Sequence, residues 1–152
     1  LHELNPALVM VRLSGFGQTG PYKDQPGFGA VGESVGGLRY ITGFEDRPPV
    51  RTGISIGDSI AALWAVIGAL MALRHREVNQ GKGQVVDVAL YEAVFAMMES
   101  MVPEFDVMGF VRERSGNIML ALRPPPFTPA TTAKQCRSAP MAMPFSSVSC
   151  AL

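Results

Sequence analysis

The stretch GDSIAALWAVIGALMALRHR, residues 57–76, decides how this chain folds. Asp58 and Ser59 stand directly before an apolar run, in a position typical of a helix N-cap, where a side-chain oxygen accepts an unpaired backbone N–H. The run predicts a helix over residues 60–76 that ends in basic residues, which suit the negative end of a helix dipole. Because the run is apolar on nearly every side, we expect this helix to be buried.

Shorter segments on both sides of this helix complete an alternation of strands and helices. The predicted elements are, in chain order, a strand at residues 8–13, a short helix at 30–36, a strand or extended segment at 38–42, a strand at 84–88 and a helix at 90–101. The last helix is expected to stop near Pro103, because proline removes a backbone donor. This order of elements favours an α/β protein.

The composition of the whole chain places it among globular proteins. Its 152 residues match the size of one ordinary domain, and 47% hydrophobic residues are enough for a core. A charged fraction of 17% is too low for an intrinsically disordered chain. Thirteen basic and thirteen acidic residues give a net charge of zero, which argues against a nucleic-acid partner.

We expect a cytoplasmic protein that does not enter a membrane. The longest apolar stretch, residues 60–73, has 14 residues, which is too short to cross a bilayer as a helix. The first residues show no signal-peptide pattern. Cys136 and Cys150 cannot form a disulfide framework, and no histidines stand at zinc-ligand spacing around them, so no metal site is expected.

Residues 120–152 differ in composition from the rest of the chain. They hold three Lys or Arg and no acidic residue, whereas residues 1–119 hold ten basic and thirteen acidic residues. Six of the twelve prolines also fall in this tail, and it has neither helical nor strand periodicity. We therefore expect residues 120–152 to be mostly irregular.

The segment GFGQTG at residues 15–20 matches the G-x-G-x-x-G pattern of dinucleotide-binding proteins. That interpretation needs a helix that opens at the third glycine and holds a pyrophosphate at its N-terminus. Here Pro21 follows, then polar residues without apolar periodicity. The pattern therefore favours a glycine-rich turn that lets a ligand approach the backbone.

Asp58 has two interpretations that the residues alone leave open. In the first it is a helix cap and nothing more. In the second it is a nucleophile for covalent catalysis, since a helix N-terminus stabilises the carboxylate and small residues at 53–57 leave room for a substrate. A carboxylate is a weak nucleophile, so it needs an activated acyl donor.

Three blocks of this sequence resemble the family III CoA-transferases. They are NPALVMVRLSGFGQTGPY at residues 5–22, the stretch from PGFGAVGESVGG to LRHR at 26–76, and GKGQVVDVALYEAVF at 81–95. The blocks stand in the family's order and spacing, and the resemblance covers about residues 4–119. It predicts that residues 1–119 are a partial CoA-transferase domain of α/β fold, which in the parent protein forms an interlocked homodimer.

The resemblance implies a metal-free transfer of CoA from an acyl-CoA thioester to a carboxylic acid acceptor, with coenzyme A bound as substrate rather than as a permanent cofactor. The family's catalytic aspartate maps onto Asp58, which would form an acyl-aspartyl anhydride and then an aspartyl-CoA thioester. The family's CoA contacts after the GPY turn map onto Gln25, Pro26, Gly27 and Phe28.

Two alternatives to a transferase remain. The related α-methylacyl-CoA racemases pair the aspartate with a histidine at the position that is Phe28 here, which favours the transferase. The second alternative is a non-catalytic α/β module in which Asp58 is only a helix cap. Three arginines are candidates to face an acidic substrate or the CoA phosphates, or are ordinary surface residues: Arg39, Arg47 and Arg51.

The resemblance stops at Met119, and we hypothesise that residues 120–152 are a frameshifted, non-native tail. Family members continue with Pro-Gly-Ile-Thr-Pro-Ser. A back-translation of residues 120–125 with one C restored after the Met119 codon reads as that hexapeptide. The family's N-terminal and C-terminal parts have no counterpart here, so we expect an internal fragment that is inactive by itself.

Overall fold

The computed structural model describes residues 1–118 of this chain. The predicted tail at 120–152, with its irregular conformation and its frameshift, lies outside the described residues. The boundary between residues 119 and 120 therefore stays a prediction.

The described part contains two strands and five helices. They are β1 (Met10–Ser14), α1 (Gly29–Val35), α2 (Leu38–Ile41), α3 (Ile56–Val78), β2 (Val85–Ala89), α4 (Leu90–Phe95) and α5 (Met101–Met108). The two strands pair in parallel, with Met10 opposite Val85 and Ser14 opposite Ala89. A parallel pair needs a crossover connection, and α1, α2 and α3 form it. The α/β prediction is confirmed.

The segment at 38–42 is a helical turn rather than a strand. Its first four residues form α2, which begins after Gly37 at φ 94°, and the hydroxyl of Thr42 donates a 2.5 Å hydrogen bond to the carbonyl of Leu38. Glycine takes a positive φ without strain, so the chain reverses there and the turn closes on its own backbone. Contacts from neighbouring residues decide this conformation, and a pattern of apolar residues does not reveal them.

The predicted helix over residues 90–101 is divided in two. Glu99, which takes a positive φ of 53°, lies between α4 and α5. Pro103 does not stop a helix, because it is the third residue of α5. Proline is tolerated in a first turn, where its missing N–H would have no intrahelical partner.

The core of the described part is small and lies where α3 and α4 pack on β2. Its buried members are Ala61, Val88, Leu90 and Ala93, with Ile60, Ala65 and Val86 packed against them. The side of α3 that packs inward carries small residues, and a cavity of about 260 Å³ opens beside Trp64. The core therefore brings the start of α3 close to α1 and α4.

The expectation that α3 is buried is wrong for this part of the chain. Only Gly57, Ala61 and Ala72 are buried along its 23 residues. The expectation that this helix is too short to cross a bilayer is also wrong. The helix continues beyond the apolar stretch at both ends, and by length and composition alone it is long enough to cross a membrane. A core helix of a soluble protein meets the same criterion. Large apolar side chains of α3 are exposed, namely Leu63, Trp64, Val66, Ile67, Leu70 and Met71.

Glu104 is buried, although an acidic residue in α5 is typical of a solvated surface. Its carboxylate accepts hydrogen bonds from Arg112 and from the hydroxyl of Ser100. The bond from Arg112, and to a smaller extent that from Ser100, holds the pKa of Glu104 below its usual value despite burial. The pair fastens the segment after α5 back onto the helix.

Candidate active site

Asp58 lies in the first turn of α3, at the third helical residue. The helix begins at Ile56, four residues earlier than the periodicity predicts, and Ser55 is its N-cap residue. The prediction that Asp58 caps the helix is therefore wrong. Its side chain is exposed and, within residues 1–118, accepts no hydrogen bond and forms no ion pair. An acidic side chain in this turn lies at the positive end of the helix dipole.

The Asp58 carboxylate lies directly against Gly29, the first residue of α1. A Cβ atom added to Gly29 would stand 2.7 Å from the carboxyl carbon and 2.8 Å from Oδ1 of Asp58, well inside van der Waals contact. A glycine at this position therefore lets the carboxylate touch the backbone of α1. Phe28 immediately precedes Gly29, so the predicted CoA-binding segment ends beside the predicted nucleophile.

The predicted CoA contacts occupy an open stretch before α1. Gln25, Pro26 and Phe28 are exposed, while Gly27 is half-buried. Phe28 is 66% exposed, which is unusual for a phenylalanine and leaves its ring available to a ligand. Whether these four residues bind CoA stays a prediction.

The glycine-rich loop after β1 closes on itself and does not open a helix. A Cβ on Gly15 would lie 2.5 Å from the Cα of Gly27, so the two ends of the loop cross backbone to backbone. The amide N–H of Gln18 donates a 2.8 Å hydrogen bond to Asp87 on β2. The first helix after the loop begins only at Gly29. This geometry lacks the helix that a dinucleotide site needs.

Glu33 is a buried charged residue that the sequence patterns do not single out. Its side chain is 1% exposed. Oε1 accepts a 3.2 Å hydrogen bond from the N–H of Gly57, and Oε2 accepts one of 3.1 Å from Nε of Arg39. The only signal in the sequence is that Glu33 is the one charged residue of α1.

The three candidate arginines have different surroundings. Arg39 is engaged by buried Glu33 and is therefore part of the protein framework. Arg51 donates a 3.3 Å hydrogen bond to the hydroxyl of Ser55, at the start of α3. Arg47 is highly exposed and lies 4.0 Å from an equally exposed aspartate. Arg51 therefore lies at the start of α3, to which Arg39 is also linked through Glu33.

A metal-ion centre has no support in the described part of the chain. Across residues 1–118, no three or more His, Cys, Asp or Glu side chains gather in a way that could hold a metal ion. Cys136 and Cys150 lie outside the described residues. The chemistry available here is that of a carboxylate beside backbone and aromatic surface.

Comparison with known proteins gives a consistent family. A sequence model described as CoA-transferase family III matches residues 1–133, past the point at which the quoted blocks end. A succinyl-CoA–D-citramalate CoA-transferase from Chloroflexus aurantiacus is 60% identical over 124 residues, which are 82% of this chain and 31% of that protein. A formyl-CoA:oxalate CoA-transferase from Streptomyces avermitilis is 46% identical over 62% of this chain and 22% of its own length.

Solved structures show the same likeness. The crystal structure of a CAIB/BAIF family protein from Brucella suis superimposes with a TM-score of 0.73 at 31% identity, and covers 81% of this chain and 32% of that one. The chain thus spans about a third or less of the length of the relatives that it matches.

Proposed function

The chain belongs to CoA-transferase family III, and from this membership we propose that it carries the nucleophile of an enzyme that moves CoA from an acyl-CoA thioester to a free carboxylic acid. The observation that carries the proposal is the contact between the Asp58 carboxylate and Gly29. In this contact an exposed carboxylate, which has no hydrogen-bond or ion-pair partner within residues 1–118, lies next to the end of the segment at 25–28 that the family resemblance assigns to CoA.

The proposed reaction passes through three covalent intermediates on Asp58. The carboxylate attacks the thioester carbonyl, which gives an acyl-aspartyl anhydride and CoA thiolate. The thiolate attacks the aspartyl carbonyl, which releases the donor acid and leaves an aspartyl-CoA thioester. The acceptor carboxylate then displaces CoA to form a second anhydride. The thiolate attacks the acceptor carbonyl of that anhydride, which frees the new acyl-CoA and restores Asp58.

The position of Asp58 suits this chemistry. It is an exposed carboxylate in the first turn of α3, and a carboxylate nucleophile attacks without a general base. A thioester supplies the activated carbonyl that a weak carboxylate nucleophile requires. First-turn N–H groups of a helix lack intrahelical partners, and those of α3 other than the Gly57 N–H, which is bonded to Glu33, are suited to stabilise the oxyanions that form on the reacting carbonyls.

A racemase of the same family is the less favoured alternative. It needs a proton-transferring side chain beside the aspartate. Phe28 stands next to Gly29 and carries no titratable group, so this chain offers no proton shuttle at that position.

For substrates we propose succinyl-CoA as donor and a dicarboxylic acid as acceptor. The support is the activity after which relatives are named, among them the D-citramalate enzyme and the succinyl-CoA–L-malate CoA-transferase alpha subunit of Chloroflexus aurantiacus, which is 45% identical. In the protein, CoA and acyl-CoA are substrates, and no permanent cofactor is proposed.

The test is a covalent adduct on Asp58. The protein is expressed with any coding sequence that flanks residues 1–152 in its gene, incubated with succinyl-CoA, and analysed by intact mass spectrometry. We expect an adduct with the mass of an aspartyl-CoA thioester, from which hydroxylamine frees CoA and leaves a hydroxamate on the protein, and peptide mapping that locates this hydroxamate at Asp58. Asp58→Asn abolishes it, because an amide does not attack a thioester.

A matched variant separates chemistry from folding. Asp106→Asn changes another exposed aspartate, on α5, and should keep both the adduct and the turnover. Equal adduct in Asp58→Asn and in unchanged protein overturns the assignment of the nucleophile. No adduct on any side chain, in protein of unchanged thermal stability, overturns the proposed function.

We further propose that the protein is a homodimer in which the exposed apolar face of α3 is covered. Leu63, Ile67, Leu70 and Met71 form this face, and each exposes about half or more of its side chain. Exposed patches of this kind mark interaction surfaces. Light scattering should give a dimer mass for the protein and a monomer mass for Leu70→Lys, while Val107→Lys, at an exposed apolar position on α5, should remain dimeric.

We propose a cytoplasmic location for the protein. The support is that residues 1–119 contain no cysteine and therefore no disulfide bond. After cell lysis and ultracentrifugation the protein should be in the supernatant. Recovery in a membrane pellet that resists carbonate extraction would instead make α3 a membrane span and overturn this location.

A further inference from the structure

The start of α3 is held by a side chain from another helix. The first N–H groups of any helix have no partner within it, and Ser55, the N-cap residue, makes no side-chain capping bond here. Gly57 is the second residue of α3 and is buried, so its N–H needs a partner from elsewhere. Glu33 of α1 supplies that partner through Oε1 at 3.2 Å.

Glu33 is itself fixed in place on its other side. A buried carboxylate is costly unless both oxygens find donors, and Arg39 donates to Oε2 at 3.1 Å. The Glu33 side chain is 1% exposed and that of Arg39 is 26% exposed, so the pair is largely removed from water. Glu33 therefore has a single conformation in which its two bonds are satisfied together.

The packing around Gly57 leaves little room for adjustment. A Cβ on Gly57 would lie 3.0 Å from Cγ of Glu33 and 3.1 Å from the carbonyl oxygen of Gly29. The start of α3 is thus in close contact with both Glu33 and Gly29. Asp58 is the next residue after Gly57, and its carboxylate lies against the same Gly29.

We propose that Glu33 is a positioning residue for Asp58. Its buried carboxylate, held by Arg39, accepts a hydrogen bond from the N–H of Gly57 and so fixes the position of the Asp58 nucleophile. This inference rests on the proposed function of Asp58. It adds a residue that touches neither substrate nor reacting atoms and acts through the backbone of the first turn of α3. Displacing a reacting group by about 1 Å costs on the order of 100-fold in rate.

The test compares Glu33→Ala with Glu33→Gln. The alanine variant leaves the buried Gly57 N–H unpaired, and kcat for succinyl-CoA-dependent transfer should fall by about 10- to 100-fold. KM for succinyl-CoA should stay within about twofold, since the interaction that is lost serves the transition state and not substrate binding. The glutamine variant keeps one carbonyl oxygen for two donors, so its amide N–H2 must face either Gly57 or Arg39, and its kcat should lie between that of Glu33→Ala and that of the unchanged protein.

A destabilised control separates positioning from folding. Ala72→Gly removes a buried methyl group from α3 about 21 Å along the helix from Asp58, and should lower thermal stability while kcat per folded protein stays unchanged. Hydrogen exchange gives a second readout, because the Gly57 amide should lose protection in Glu33→Ala alone.

Each result decides one of the two proposals. Unchanged kcat in Glu33→Ala, or an equal loss of kcat in Ala72→Gly, overturns the positioning role while Asp58 keeps its own. Absence of an adduct in the unchanged protein overturns the proposed function of Asp58, and the positioning role with it.

Discussion

Replacing Gly15 by alanine tests how the loop before α1 is closed. The new Cβ would stand 2.5 Å from the Cα of Gly27 and 3.0 Å from its N and C atoms, whereas ordinary contacts lie at 3.4–4 Å. The clash is with backbone, so no side-chain rotation relieves it and the two ends of the loop must move apart. Overpacking of this kind costs about 1–3 kcal/mol. The reduced flexibility of the unfolded chain offsets about 0.4–1 kcal/mol of that cost, so destabilisation wins.

Thermal unfolding measures the effect, with Gly53→Ala as the matched control. For a domain near 100 residues each 1 kcal/mol shifts Tm by roughly 4 °C or more, so Gly15→Ala should lower Tm by several degrees. A Cβ on Gly53 meets nothing within 4 Å, and its variant should keep or slightly raise Tm. Because Gly27 lies in the predicted CoA segment, KM for the acyl-CoA should also rise in Gly15→Ala. Equal Tm values for the two variants would refute the crossing of the loop ends.

Two further predictions concern ionisation. The bond from Arg112 lowers the pKa of Glu104, so its contribution to stability is complete above the unfolded value near 4.5 and is lost as the pH falls through the lowered folded pKa. In urea unfolding, the free energies of Glu104→Gln and the unchanged protein should therefore differ at neutral pH and converge as the pH falls below 4.5, while Glu77→Gln, an exposed control, should match the unchanged protein. A difference that stays constant with pH would contradict this. The hydroxyl of Tyr40 donates a hydrogen bond to Glu113, which raises the pKa of Tyr40 above its usual value of 10. In an absorbance titration of the tyrosines, Tyr40→Phe should therefore lack a group that ionises late, and identical curves for the variant and the unchanged protein would contradict this.

Local patterns were sufficient for the two strands and for the central part of α3. β1 and β2 differ from their predicted bounds by one or two residues, and the order of elements is as the alternation indicated. Periodicity depends on neighbours within a few positions, which is why it works for long, regular segments. It misplaced the start of α3 by four residues, since the first turn is held by Glu33 from another helix.

The misassigned segments share one physical cause. Residues 38–41 form a turn of helix after a glycine with positive φ, and Glu104 is buried because Arg112 returns to it from eight residues further along. In both places a contact with a specific side chain or backbone group outweighs intrinsic preference. A pattern of residue types carries no information on such a partner until the chain is folded.

The candidate site also combines a predictable residue with unpredictable surroundings. Asp58 was singled out by its place before an apolar run, and its assignment as nucleophile stays a prediction. What surrounds it depends on close approaches between residues about 25–30 positions apart, which Gly29 and Gly57 permit because they lack a Cβ. The packing of α1 against α3 therefore sets the position of the Asp58 carboxylate, which does not cap the helix. For this reason, variants of Glu33 test the site more sharply than further variants of Asp58.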